Sequence, residues 1–282
     1  MSHLVSWSLR RGLAGIVLMS GALATIAQEG WLESKAAHYS VFYQSGFEQD
    51  VPRVRAWADS AERLMRSKYG VVPTHYRMSI YLHPAPTAAA TVDQARNHCC
   101  ATSTDGIKTG TIDMLAPSAS AFKVSSAISS LGMRKSSDDY QAKILVSEYI
   151  PIGHYEAQTA RGAGWEYYSA PNWFVQGLQE FDAIEHSTAG NRDSTVRRLV
   201  AWAKSHRQVF ACCAPDLRIG DDYNGGAAFM MFLAAEFGEA VHARILRSTA
   251  STFADALTEA TKPYSRAELF ARFESWLSRS LR

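Results

Sequence analysis

The chain has 282 residues, 47% of them hydrophobic and 20% charged, with a formal net charge of +2. That length fits one large domain or two small ones, and the composition sits in the ordinary globular range, with apolar side chains enough for a sizeable core. Without residues 1–27, which carry Arg10 and Arg11 and no acid, the charge falls to zero. A neutral chain lacking a Lys/Arg cluster gives no electrostatic reason to expect nucleic acid or an anionic membrane surface as partner.

The N-terminus predicts export. Arg10 and Arg11 form a basic start, Gly12 to Ala27 is apolar and uncharged, and small residues stand at Ala22, Ala24 and Ala27. This is the layout of a signal peptide cleaved after Ala24 or Ala27, and the apolar run of 16 residues is shorter than the ~20 that span a bilayer comfortably. The expected location is the periplasm or the medium, with no membrane span after cleavage; an uncleaved anchor is the other reading. Residues 28–282 then form one domain, strand-rich over 36–117 and helical over 139–282.

Within that domain, His38 to Ser45 is aromatic and β-branched and reads as a strand. Asp50 is placed to cap a helix with Pro52 in its first turn, whose stripe Val51, Val54, Trp57, Ala58, Ala61, Leu64 and Met65 ends at Gly70. Tyr76 to Leu82 and Thr109 to Leu115 read as strands, and 117–137 as a loop. Cys99-Cys100 and Cys212-Cys213 are two adjacent pairs. In an oxidising compartment a bridge between the pairs is expected; free thiols and a four-thiolate zinc site are the alternatives.

From Tyr140 the pattern turns helical: Gln141 to Ile150 ending or kinking at Pro151, then Asn172 to Ile184, Thr195 to Ser205, and Gly226 to Phe237 stopped by Gly238. Ser265 and Glu268 form a capping box for a last helix burying Leu269, Phe270, Phe273, Trp276 and Leu277. Strands first and helices after, without a βαβ repeat, predict an α+β fold.

Two segments carry the functional signal: Lys143-Ile-Leu-Val-Ser-Glu-Tyr-Ile-Pro-Ile-Gly-His154 and Ala170-Pro-Asn-Trp-Phe-Val-Gln-Gly-Leu-Gln-Glu-Phe-Asp182. The second resembles the gluzincin segment Pro-x-Trp-x-x-Glu-Gly-x-x-Glu-Tyr, matching at Pro171, Trp173, Gly177, Glu180 and, conservatively, Phe181. The first stands where those peptidases carry His-Glu-x-x-His, and 24 residues separate Pro151 from Gln176. With a strand ending in Leu-His-Pro and the later Tyr223-Asn-Gly-Gly-Ala-Ala-Phe, the chain resembles peptidase-MA-like (gluzincin) domains. The resemblance implies a thermolysin-like catalytic-domain fold, an N-terminal mixed sheet followed by a helical half.

In such a site two His one helical turn apart hold zinc, the intervening Glu activates water, and a third carboxylate completes the shell. Here the matching positions are Ser147, Pro151 and Gln176, with only Glu148 retained at the base position. Serine is a poor zinc ligand, proline has no ligating side chain, and glutamine offers a neutral oxygen. The resemblance therefore implies a degenerate member with no metal and no cofactor. His154 lies six positions after Glu148, on another helical face, and His83, His98 and His186 are scattered. His154, Trp173, Glu180 and Tyr223 are candidate cleft residues, and the aromatic run Trp165 to Phe174 either lines a groove or anchors its loop to the core. Three functions stay open: a binding or scaffold pseudopeptidase that takes a peptide, a glycan or an envelope protein; a hydrolase working through Glu148, Glu180 and Tyr223; and a structural domain held by cysteine bridges.

Overall fold

Alternation decides which face each strand buries, and it organises a five-stranded sheet. In this computed structural model the described residues are 30–88, 90, 96–102, 107–119, 137–159, 162, 164–185 and 224–279, with scattered positions between 196 and 205. The chain divides into Met1–Gly30 and Trp31–Arg282, and the sheet and the helices belong to the second of these units. The signal segment with Ala24 and Ala27, and also Tyr223, Cys212, Cys213 and His186, lie outside the described residues.

The strands are β1 (Trp31–Lys35), β2 (Tyr39–Gln44), β3 (Tyr76–His83), β4 (Arg96–Thr102) and β5 (Lys108–Leu115), in the order β1-β2-β3-β5-β4. The pairs β2–β3 and β3–β5 are parallel, while β1–β2 and β4–β5 are antiparallel, so the sheet is mixed. Tyr39, Val41, Met78, Ile80, Leu82, Ile112 and Met114 alternate onto one face and are buried. Helix α1 (Val51–Leu64) and the long α2 (Ser137–Thr159) close over that face with Val54, Ala58, Ala61, Leu145, Tyr149 and Ile152. Apolar side chains of this size, at ~1.5–3 kcal/mol each when fully buried, hold the layer together against the entropy of ordering it.

The second core is helical. It joins α3 (Asn172–Glu185), α4 (Asn224–Phe237), α5 (Val241–Leu246), α6 (Phe253–Ala260) and α7 (Arg266–Arg279) around Trp173, Phe174, Phe229, Phe232 and Phe273. The α+β expectation holds: apart from α1, which lies between β2 and β3, the helices follow the sheet.

Several local expectations change. β1 and β4 go unnoticed in the sequence because neither Trp-Leu-Glu-Ser-Lys nor Arg-Asn-His-Cys-Cys-Ala-Thr alternates; both are edge strands, held by one neighbour each. Cys99 and Cys100 lie in β4. Asp50 caps nothing: its carboxylate instead accepts from the Ser118 backbone N–H at 3.0 Å and hydroxyl at 2.7 Å, tying α1 to the end of β5. The helix runs on past Met65 as a π-helical turn to Tyr69, and Gly70 ends it in the left-handed region, as its position predicts. The largest change is at Pro151. α2 continues through it to Thr159, because Ile152, Ala157 and Gln158 are buried on the far side and their packing outweighs the one lost backbone bond.

The Ser265–Glu268 capping box forms as expected: Glu268 accepts from the Ser265 N–H at 2.8 Å, and the Glu268 N–H donates to the Ser265 hydroxyl at 3.3 Å. The helix expected over 195–205 is described only at scattered positions, of which Leu199 and Val200 are buried.

Candidate functional site: the α2–α3 seam

Because α2 runs unbroken through Pro151, residues 147, 151, 154 and 158 recur at helical spacing and share one face. His154, seven positions after Ser147, therefore lies in line with it, and it stays on another helical face from Glu148, as the spacing of six predicts. Opposite stand Val175, Gln179 and Asp182 of α3, one face at the same spacing. The two segments that resemble the zinc-binding helices thus lie side by side.

Three side-chain contacts define the seam. The Gln179 amide donates to the Ser147 hydroxyl oxygen at 3.2 Å. Lys143 pairs with Glu180, whose side chain is largely buried. The His154 Nε2 meets Asp182 Oδ2 at 2.7 Å, both fully buried. Pro151 is buried within α2, and Gln176 has its Oε1 buried without a hydrogen-bond partner. Glu148 is half-buried and Trp173 is buried. Among the described residues, no group of three or more His, Cys, Asp or Glu comes together in a way that fits a metal ion.

The strongest feature of the seam is one that sequence reasoning missed. Asp182 also accepts the Lys68 ammonium at 2.6 Å and the Tyr69 hydroxyl at 2.5 Å, while His154 Nδ1 meets the Tyr167 hydroxyl at 2.9 Å. Lys68 lies 4.2 Å from the centre of the Phe181 ring. A carboxylate, an ammonium, an imidazole and two phenols thus form one buried network joining the end of α1, α2, α3 and the 3-10 turn Tyr167–Ser169. Lys68 and Asp182 are 114 residues apart, so no local pattern announces them. The one signal in the sequence is an aspartate closing an otherwise apolar helical stripe.

Charge in this interior is set by its partners. Burial pushes the Asp182 carboxyl up, but Lys68 and the His154 bond pull harder, leaving it well below the usual carboxylate range. Burial holds His154 below its ordinary value despite Asp182. His242 of α5 lies beside Phe181 and gives its Nε2–H to the Met230 carbonyl at 3.1 Å. Burial drives it down to about 3, helped by the nearby Lys68 charge and opposed by Asp182. Its Nδ1 is buried with no acceptor to meet a second proton.

These shifts make stability depend on pH. Both imidazoles are held below the value of about 6.5 at which they protonate when unfolded, so below that value the unfolded chain binds more protons and folding weakens. Between pH 6.5 and about 4.5, His242 alone is expected to remove roughly 3 kcal/mol, at about 1.4 kcal/mol per unit, and His154 adds to it. Below about pH 4 the depressed Asp182 adds a further loss in the same direction, as the unfolded carboxyl takes up its proton first. Urea titrations at pH 7.5, 6 and 4.5 check this; stability that is flat or rises toward pH 4.5 would contradict it.

No family model matches this chain, and no curated protein matches it either.

Proposed function

We propose that the protein is an exported, pseudopeptidase-like binding or scaffold protein of the cell envelope, on a gluzincin-like fold whose zinc ligands have been replaced. The observation that supports this reading is what occupies the seam between α2 and α3. At the three positions where the resemblance implies ligands stand a serine hydroxyl bonded to Gln179, a proline buried inside a helix, and a neutral glutamine. None of the three supplies an imidazole or carboxylate, and Glu148, at the position of the general base, has no acidified water to act on without a metal. The two helices that carry these positions lie side by side. The partner belongs to the same proposal: a peptide, a glycan or another envelope protein.

The test is restoration. The wild-type protein, isolated from the envelope fraction and dialysed against zinc, is expected to retain far less than one equivalent and to show no chelator-sensitive cleavage of a peptide library. The combined variant Ser147→His, Pro151→His, Gln176→Glu is expected to bind one zinc. Stoichiometric zinc with chelator-sensitive proteolysis in the wild type would end the pseudopeptidase reading. A triple variant that folds and binds none would remove the gluzincin resemblance beneath it.

A further inference from the structure

The helices cover one face of the sheet, and alternation puts a different set of side chains on the other. Trp31, Glu33 and Lys35 of β1, Ser40 and Phe42 of β2, Arg77, Ser79, Tyr81 and His83 of β3, and Thr111 and Asp113 of β5 share that face by register. All of them are half-buried or exposed, whereas their neighbours one position along β2 and β3 are almost all buried. Four rings gather there. The Trp31 indole meets Tyr81 at 5.2 Å and 87° and His83 at 5.4 Å and 77°, edge-to-face with both. Phe42 stacks on Tyr81 at 4.7 Å and 13°.

Fixed polar groups bracket the rings. On one side His83 Nε2 meets Asp113 Oδ1 at 2.7 Å, with the side chains 18% and 17% exposed. On the other the Ser40 hydroxyl donates to Glu33 Oε1 at 2.5 Å. Both carboxylates bear on Tyr81: burial raises its phenol, and Asp113 and then Glu33 raise it further.

We propose that this open face, around Trp31, Tyr81, His83 and Asp113, binds a neutral saccharide chain. A pyranose has an apolar C–H face and a rim of hydroxyls, and the patch offers the counterpart of each: aromatic surface between two hydrogen-bonded acid pairs. A carboxylate has about four acceptor positions, so Glu33, oriented by the Ser40 hydroxyl, can still accept from a sugar hydroxyl, while Asp113 holds the His83 ring in place beside the aromatic surface. Charge argues against an ionic polymer: Lys35, Arg77 and, by register, Arg96 are interspersed on this face with Glu33 and Asp113, so it carries no single-sign patch to draw a polyanion or a polycation. The site lies on the sheet face away from the α2–α3 seam and does not depend on the pseudopeptidase reading, so it stands or falls separately from the zinc test.

Affinity electrophoresis of the full chain through native gels containing hydroxyethylcellulose, glycol chitin or soluble starch tests the proposal. The wild type is expected to be retarded by at least one polymer relative to a plain gel. Trp31→Ala and Asp113→Asn are each expected to weaken that retardation at least tenfold, with thermal melting unchanged. Asp113→Asn keeps the side-chain size, so it remains informative if removing Trp31 disturbs β1. The proposal is overturned by mobility unaffected by all three polymers, or by retardation equal in the wild type and both variants. It is also overturned by sedimentation showing that Trp31 instead mediates self-association.

Discussion

Asp182→Ala is expected to cost about 3–5 kcal/mol, because removing one partner of a buried ion pair leaves the other charge uncompensated. Lys68 is 9% exposed and Asp182 not at all, so the stranded ammonium has little access to water. Tyr69 loses its acceptor and His154 the group that holds its Nε2. Lys68→Met is expected to cost less, since Asp182 keeps two hydrogen-bond donors. The double variant Lys68→Met, Asp182→Leu is expected to recover much of the loss, because two apolar groups restore packing without stranding a charge. Denaturant unfolding of the three variants decides it. A cost below about 1 kcal/mol for Asp182→Ala would mean that water reaches this site and that the pair contributes no more than a surface bridge.

A second strong dependence lies where α3 crosses α4. Gly177 belongs to the segment that resembles the third-ligand helix, and Gly226 to the Tyr-Asn-Gly-Gly segment. A β-carbon at Gly177 would stand 2.5 Å from the Gly226 α-carbon and 2.8 Å from its carbonyl oxygen; one at Gly226 would stand 2.8 Å from the Gly177 α-carbon. The two backbones touch, with no flexible side chain between them to yield. Gly177→Ala and Gly226→Ala are each expected to cost about 3 kcal/mol, at the upper end of overpacking penalties, or to abolish folding. Gly153→Ala is the informative comparison. Its β-carbon would meet the Met65 side chain, with the sulfur at 2.7 Å, and methionine adapts, so a loss of about 1–2 kcal/mol is expected. Equal melting temperatures for Gly153→Ala and Gly177→Ala would contradict the crossing geometry. The contact also gives Gly177 and Gly226 a structural reason to stand in their motifs, one that needs no metal.

The α+β order, the strands β2, β3 and β5, and the helix ends at Gly70, Gly238 and Ser265 are all legible in the amino-acid sequence alone. Each of these depends on information within a few residues: alternation, a left-handed stop, a reciprocal cap. The pairing of α2 with α3 is an expectation of the family resemblance of their two segments, not of their periodicity. Other features wait on tertiary contacts. Whether Pro151 ends a helix depends on what the next turn buries, and Ile152, Ala157 and Gln158 bury enough to carry α2 onward. Asp50 has the residue type of a cap but finds Ser118 68 residues away. The Lys68–Asp182–His154 network and the Gly177–Gly226 crossing unite residues from distant elements, none of which carries a mark of its partner. Local propensity is written in neighbouring residues; the desolvation of a charge and the approach of two backbones depend on what the fold brings to them, and that is set only once the chain has closed.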